Sequence, residues 1–328
     1  MTILLMKQAF VILGVLLGLT SAVRLAPFPQ ADISNGVIQA KLYLPDPAQG
    51  YYQGTRFDWS GVFASLDYNG HSYFGQWFDK YDPKLHDAIS GPVEEFTPIG
   101  YETAKPGEDF LKIGVGSLRK AADAPYRFAT PYETINPGKW SVAKKGKDAI
   151  EFTHELTDAA GYSYRYRKTV KLVPGKPTLV LEHSLTNTGS KPIETTVYDH
   201  NFYVIDKQTT GPDFFVTFPF PLQTKGTPRG MGTLFETRTN QITYLRELAK
   251  GETTHCYLTG FGDTAKDYDI RIENRKTGAG VRITCDHPIV QLAYWSMPIA
   301  VCPEPYIQIK AEPGKEFSWK IQYDYYTK

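Results

Sequence analysis

Four short stretches carry side chains able to do acid–base or binding chemistry. Tyr198-Asp199-His200-Asn201-Phe202 lies where an alternating run, Thr195 to Val204, should simply continue. Cys302-Pro303-Glu304-Pro305-Tyr306 sets a carboxylate between two prolines in an apolar neighbourhood. Leu85-His86-Asp87 follows an aromatic segment, and Gly54-Thr55-Arg56-Phe57-Asp58-Trp59 puts an arginine and an aspartate beside aromatic rings. Histidine titrates near neutrality, and burial raises a glutamate toward the same range, so one of each across a pocket makes a proton donor and acceptor. An arginine beside tryptophan offers a planar fork of donors to hydroxyl groups. Each residue also has a plain structural reading. His200 can satisfy a core strand, Glu304 can be a solvated turn acid, His86 a loop histidine, and Arg56 the ion-pair partner of Asp58. Residue types alone do not connect His200 to Glu304 across about a hundred positions. His71, His154, His183, His255 and His287 fall in strand or turn contexts and read as structural.

The elements that must hold these residues are mostly strands. Tyr162 to Val173, Thr178 to Thr186, Ile193 to Tyr198, Tyr306 to Lys310 and Phe317 to Tyr326 are extended runs, most of them alternating apolar or aromatic with polar side chains. Pro174-Gly175-Lys176-Pro177, Asn187-Thr188-Gly189-Ser190 and Glu312-Pro313-Gly314-Lys315 are turns. Short connections predict that the first three runs pair as antiparallel neighbours. Helical patterns are scarce, with single turns expected at Pro92–Phe96 and Leu245–Lys250. Asp46 to Ala88 reads as strands joined by long loops, which in compact proteins tend to carry function. Without a repeat or an interdomain linker, the expectation is one all-β domain, a single large antiparallel β-sandwich over residues 30–328.

The 328 residues are 41% hydrophobic and 22% charged, which excludes wholesale disorder, collagen and coiled coil. With 36 Lys+Arg against 35 Asp+Glu and no long basic stripe, nucleic acid is not an expected partner. The 14% aromatic content suits strands and also sugar-stacking surfaces. Lys7, the apolar run Ala9–Leu19 and the small residues Thr20-Ser21-Ala22 read as a signal peptide over residues 1–22, giving a secreted or periplasmic protein without stable membrane insertion. The run is short of the ~20 residues a membrane span needs. Export would place Cys256, Cys285 and Cys302 in an oxidising setting, with one disulfide or three free buried thiols both open.

The motifs, in their order, resemble the aldose 1-epimerases, or galactose mutarotases. Asp286-His287-Pro288-Ile289-Val290-Gln291-Leu292 is similar to that family's Pro-x-x-Gln strand, and Ala300-Val301-Cys302-Pro303-Glu304 to the stretch bearing its general base. Glu312-Pro313-Gly314-Lys315-Glu316 resembles its Pro-Gly-Glu turn. Thr195–Phe202 resembles the segment ending in its acid histidine, and Leu85-His86 the start of its Leu-His-Gly-Gly. Two departures stand out: Tyr198-Asp199 replaces Thr-Asn, and Asp87-Ala88 replaces Gly-Gly. The resemblance implies the family's β-sandwich, a sugar in an open cleft, and no cofactor. It implies Glu304 as base, His200 as acid, and Arg56 and His86 as hydroxyl contacts. Asp199 would orient His200 or touch sugar, and Trp59, Tyr198, Trp77 and Trp295 would offer ring faces. The altered flanks suggest another sugar or a glycan end. Two alternatives remain: a non-catalytic carbohydrate-binding protein, and a glycan lyase in which Tyr198 or His200 abstracts a proton beside a uronate neutralised by Arg56.

Overall fold

The computed structural model describes residues 28–158 and 161–328, so the expected signal segment, residues 1–22, lies outside the described residues. Nearly all regular structure is antiparallel sheet. A ten-stranded sheet runs, in spatial order, from Phe235–Arg238 through Gln241–Tyr244, Phe214–Thr217, Asp269–Asn274, Ala279–Cys285, Glu316–Thr327, Thr178–Asn187, Tyr164–Leu172 and Ala149–Leu156 to Lys139–Lys144. A six-stranded sheet runs from Gln223–Arg229 through Thr254–Thr259, Gln291–Met297, Ala300–Ala311 and Ile193–Phe202 to Gly91–Phe96. Two smaller sheets, from Gln30–Ser34 to His71–Ser72 and from Asp109–Lys112 to Thr134–Asn136, complete the structure. The core lies between the facing sheets. Leu179, Leu181 and Leu185 of one meet Ile193, Val197, Ile307 and Ile309 of the other, all of them buried. The alternation of Tyr164–Leu172 (buried at Tyr164, Tyr166, Lys168, Val170 and Leu172) follows the period-two pleat.

The structure departs from the sequence expectation in three places. Pro92–Phe96 is not a helical turn but part of the edge strand Gly91–Phe96, paired with Ile193–Phe202. Six short residues carry too little periodicity to separate the two. An edge strand tolerates Pro92, which has no N–H to give. Gly91, at φ 91°, is required there, because a Cβ would sit 2.8 Å from Phe63 Cβ. Leu245–Lys250 forms no helix; Arg246 instead holds Glu252 through two hydrogen bonds of 2.7 Å and pins the loop. The third correction concerns pairing. Tyr164–Leu172 and Thr178–Asn187 are antiparallel neighbours, but Ile193–Phe202 belongs to the other sheet, between Ala300–Ala311 and Gly91–Phe96. The corner is built by Asn187, whose Nδ2 donates to the Lys191 and Ala311 carbonyls at 2.8 Å each.

A charged network fills part of the space between the sheets. Lys168 Nζ contacts Glu94 Oε2 and donates to Ser60 O at 3.2 Å, while His183 Nε2 lies 2.6 Å from Glu94 Oε1. Tyr166 OH donates to Asp58 Oδ2 at 3.1 Å, and Tyr323 OH donates to Asp199 Oδ2. Burial opposes ionisation of Glu94, but Lys168 and His183 hold its carboxyl at about 2. Burial pushes Asp58 up to about 7 and, with Glu94 nearby, Asp199 up to about 8. The network therefore holds one firmly ionised pair beside two acids whose ionisation burial opposes, as the cost of burying charge requires.

Candidate active site

On the opposite face of the six-stranded sheet, a cleft of about 330 Å³ is lined by titratable and aromatic residues from five neighbouring strands and from the loops beside them. The pleat decides which residues reach it. Along Ile193–Phe202 the even positions Tyr198, His200 and Phe202 face the cleft, while Val197 and Asp199 face the core. Along Ala300–Ala311 the cleft receives Glu304 and Tyr306, and along Gly91–Phe96 it receives Glu95. Tyr198 pairs with Tyr306 and with Glu95 across the strands. Two positions further along the same antiparallel pair, His200 Nε2 and Glu304 Oε1 lie 3.2 Å apart. The two residues that sequence reasoning could not connect thus share one buried row.

The surroundings of the pair set its protonation. Burial pushes the Glu304 carboxyl up to about 8; Arg56 opposes that shift, and Glu95 and Asp87 add to it. Burial also pushes the His200 imidazole well below its usual value, with Arg56 adding to the effect. The ring stacks on Phe202 at 3.7 Å between centroids, and its Nδ1 has no hydrogen-bond partner to stabilise an imidazolium. At neutral pH the pair carries one proton, resting on the carboxyl.

Arg56 sits beside the pair but its fork is already engaged. Nε donates to Glu95 Oε2 at 2.7 Å, Nη2 donates to Tyr198 OH at 3.1 Å, and Nη1 contacts Asp87 Oδ1. Its guanidinium also stacks 4.0 Å over Phe128. Glu95 is saturated in turn by Lys112 Nζ at 3.1 Å and Tyr198 OH at 2.5 Å. Burial opposes the charge on Glu95, yet Lys112 and Arg56 hold its carboxyl at about 2. The result is a rigid, internally neutralised floor from which Glu304 and the partly exposed Asp87 present carboxyl oxygens to a ligand.

The remaining candidates separate clearly. Arg56 and Tyr198 line the cleft with His200 and Glu304. His86 does not; it stands behind Asp87, its Nδ1 2.8 Å from Asp87 Oδ1 and its ring against Phe128. Asp199 is corrected outright, since the residue next to His200 on a strand must face the other way and lies in the core network with Tyr323. Trp59 is corrected too, because its Nε1 is spent on the Gly54 carbonyl at 2.8 Å and its ring is buried outside the cleft. Trp77 and Trp295 do line the cleft, 5.4 Å apart and edge to face. Sequence reasoning missed Glu95 and His255, and it singled out the stretch containing Asp87 without giving that residue a role. A signal existed for Glu95: two successive glutamates in an apolar strand must face opposite sides. His255 was set aside as structural, although its alternation with Tyr257 puts both on one face.

Cys256, Cys285 and Cys302 are all free and buried. Among the described residues, the one group with metal-ligand spacing is Cys285-Asp286-His287, outside the cleft. Asp286 Oδ1 there already accepts from Lys320 N at 2.9 Å, and burial raises the Cys285 thiol away from its ligating form. Among those residues, no helix is long and apolar enough to cross a membrane.

No protein-family model matches the sequence, and no curated protein matches it. Solved structures do share its architecture. A galactose mutarotase-like protein from Clostridium acetobutylicum superposes with a TM-score of 0.58 at 14% identity, over 91% of this chain and 95% of that one. A GalM/aldose epimerase homologue from C. elegans gives 0.54 at 14% identity, over 92% and 99%. A galactose mutarotase-like protein from Lactobacillus casei gives 0.51 at 14% identity, over 90% and 100%. At such identities it is the shared architecture that is established: this chain has the large antiparallel β-sandwich of the galactose mutarotase-like proteins.

Proposed function

We propose that this protein interconverts the anomers of a sugar by acid–base ring opening at Glu304 and His200. The observation that carries the reading is the 3.2 Å approach of Glu304 Oε1 to His200 Nε2 in the floor of an aromatic-walled cleft. The neighbours named as aldose epimerase or mutarotase homologues support a sugar ligand. Ring opening needs one group to take the anomeric hydroxyl proton while another protonates the ring oxygen, and a pair holding a single proton supplies both. Sugar hydroxyls donating to Glu304 favour its charged form, so the resting proton moves across to His200 as substrate enters. Glu304 then takes the C1 hydroxyl proton, and His200 delivers its own to the ring oxygen. After rotation about C1–C2 the steps reverse. Trp77, Trp295 and Phe202 supply the apolar wall for the ring.

The lyase alternative fares worse on geometry. It needs Arg56 to neutralise a uronate carboxylate, but all three guanidinium nitrogens are already committed to Glu95, Asp87 and Tyr198. Polarimetry on fresh α-glucose and α-galactose tests the proposal: faster decay of rotation than in buffer is expected, and none with any of several aldoses sinks it. Saturable sugar binding in calorimetry without turnover would instead leave a binding protein. The apolar run Ala9–Leu19 supports action after export.

The pH profile follows from the pair. Glu304 loses the shared proton as pH rises through about 8. Above that, kcat/KM is expected to fall by about tenfold per pH unit, since the pair no longer holds a proton to donate. His200 is held well below its ordinary value. The acid limb is therefore expected below the normal histidine range, leaving a plateau through neutrality. Polarimetric rates from pH 5 to 10 check this; a rate that already falls with rising pH below neutrality, or that stays flat to pH 10, would contradict it.

A further inference from the structure

The cleft extends beyond the acid–base pair. Strand register places Tyr257 opposite Ala293 and Ala293 opposite Glu304, so these side chains form one row across three strands. Adjacent strands are spaced ~4.8 Å, which puts Tyr257 about 10 Å from Glu304, with only a methyl group between them. The result is a trough whose floor is Ala293. Trp295 bounds one side of it and Tyr306 the other, and His255 stands at its far end, 5.1 Å from the Tyr257 ring and edge-on. Tyr257 is 43% exposed although it lines the cleft, its ring met edge-on by His255 and otherwise open to the trough. The volume agrees. An apolar cavity of about 150 Å³ accepts one six-membered ring, and this cleft measures about 330 Å³.

We propose that the trough from Ala293 to Tyr257 is a second sugar-ring subsite, and that the preferred substrate is the reducing end of an oligosaccharide rather than a free hexose. The inference rests on the proposed ring-opening activity. The reducing ring sits at Glu304 and His200, and the glycosidic bond passes over Ala293, whose small side chain leaves the space. The next ring lays its apolar face on Tyr257, as sugars do on exposed aromatic rings. His255, held below its usual value by burial and Arg229, stands neutral at the end of the trough and can exchange a hydrogen bond with a ring hydroxyl. The groups facing it from the neighbouring strands are Arg229 and Trp295.

The test compares sugars with the same reducing ring: glucose against maltose and cellobiose, and galactose against β-1,4-galactobiose. Polarimetry is expected to give the disaccharides the higher kcat/KM. Tyr257→Ala should lower kcat/KM for disaccharides about tenfold, mainly through KM, and leave the monosaccharide values unchanged. Tyr257→Phe, which keeps the ring, should behave as wild type. Equal effects of Tyr257→Ala on both sugar classes, or no effect on either, would overturn the subsite. If no sugar turns over, calorimetry separates the two claims. Disaccharide binding weakened by Tyr257→Ala keeps the subsite while the catalytic reading falls. Disaccharide binding unaffected by that change removes the subsite.

Discussion

Glu304→Gln is expected to reduce the rate of anomer interconversion by about 10²–10⁴-fold, the usual contribution of one positioned proton-transfer group. Gln is nearly isosteric and keeps a polar end toward His200, but it cannot cycle a proton. The loss should therefore appear in kcat with KM little altered. The fold should be retained at neutral pH, because the wild-type carboxyl is itself uncharged there, its titration raised to about 8 by burial, and Gln fills the same place. From the ordinary glutamate range upward the variant should become the more thermostable of the two, by a margin that grows until about pH 8, because the unfolded carboxyl ionises there while the buried one does not. Wild type must then either keep a proton on a buried acid or carry an uncompensated charge. His200→Asn is expected to lose a similar factor, and the double variant little more than either single one, since the two groups act as a unit. Polarimetry and thermal unfolding, measured on the same preparations, decide the matter. A Glu304→Gln protein with near-normal rates would remove the acid–base account altogether.

Lys168→Met carries the largest expected effect on stability, about 3–5 kcal/mol. Lys168 is wholly buried between the sheets and is the cation that keeps Glu94 ionised. Removing it strands a carboxylate in the core beside Asp58 and Asp199, whose own ionisation burial already opposes. For a domain of about 300 residues, unfolding with about 2.1 cal/mol/K per residue, the loss corresponds to a Tm lower by roughly 5–8 °C. Adding Glu94→Gln to Lys168→Met removes the stranded charge and retains a hydrogen-bond partner for His183, so it should recover more than half of the loss. The network also backs the cleft: Glu94 and Glu95 are successive residues on one strand, as are Asp199 and His200, one of each pair facing the core. Calorimetric unfolding of the single and double variants tests this. A single variant within about 2 °C of wild type would mean that the buried ion pair contributes little.

Much of the architecture is legible along the chain because strand alternation is a local property. Tyr164–Leu172, Thr178–Asn187 and Glu316–Thr327 each bury alternate residues against one core, and their turns carry Pro, Gly and Asn where the chain reverses. The same rule would have separated Asp199 from His200, since adjacent strand residues face opposite layers. It would also have placed His255 beside Tyr257. Pro92–Phe96 was not legible as a strand because a short, wholly buried edge strand shows no alternation in polarity. The fate of Arg56 was hidden for a different reason. Its partners Asp87, Glu95 and Tyr198 come from 31, 39 and 142 positions away.

The amino-acid sequence by itself determined an all-β chain and supplied a histidine and a glutamate within segments able to become strands. Tertiary structure decided that Ala300–Ala311 lies antiparallel to Ile193–Phe202 in the register that sets Glu304 against His200. It also decided that Arg56 serves the floor of the cleft and that Ala293 leaves a trough beside it. These are choices of pairing and register between distant segments. They are fixed by which faces the two large sheets bury against each other, and no local pattern encodes them.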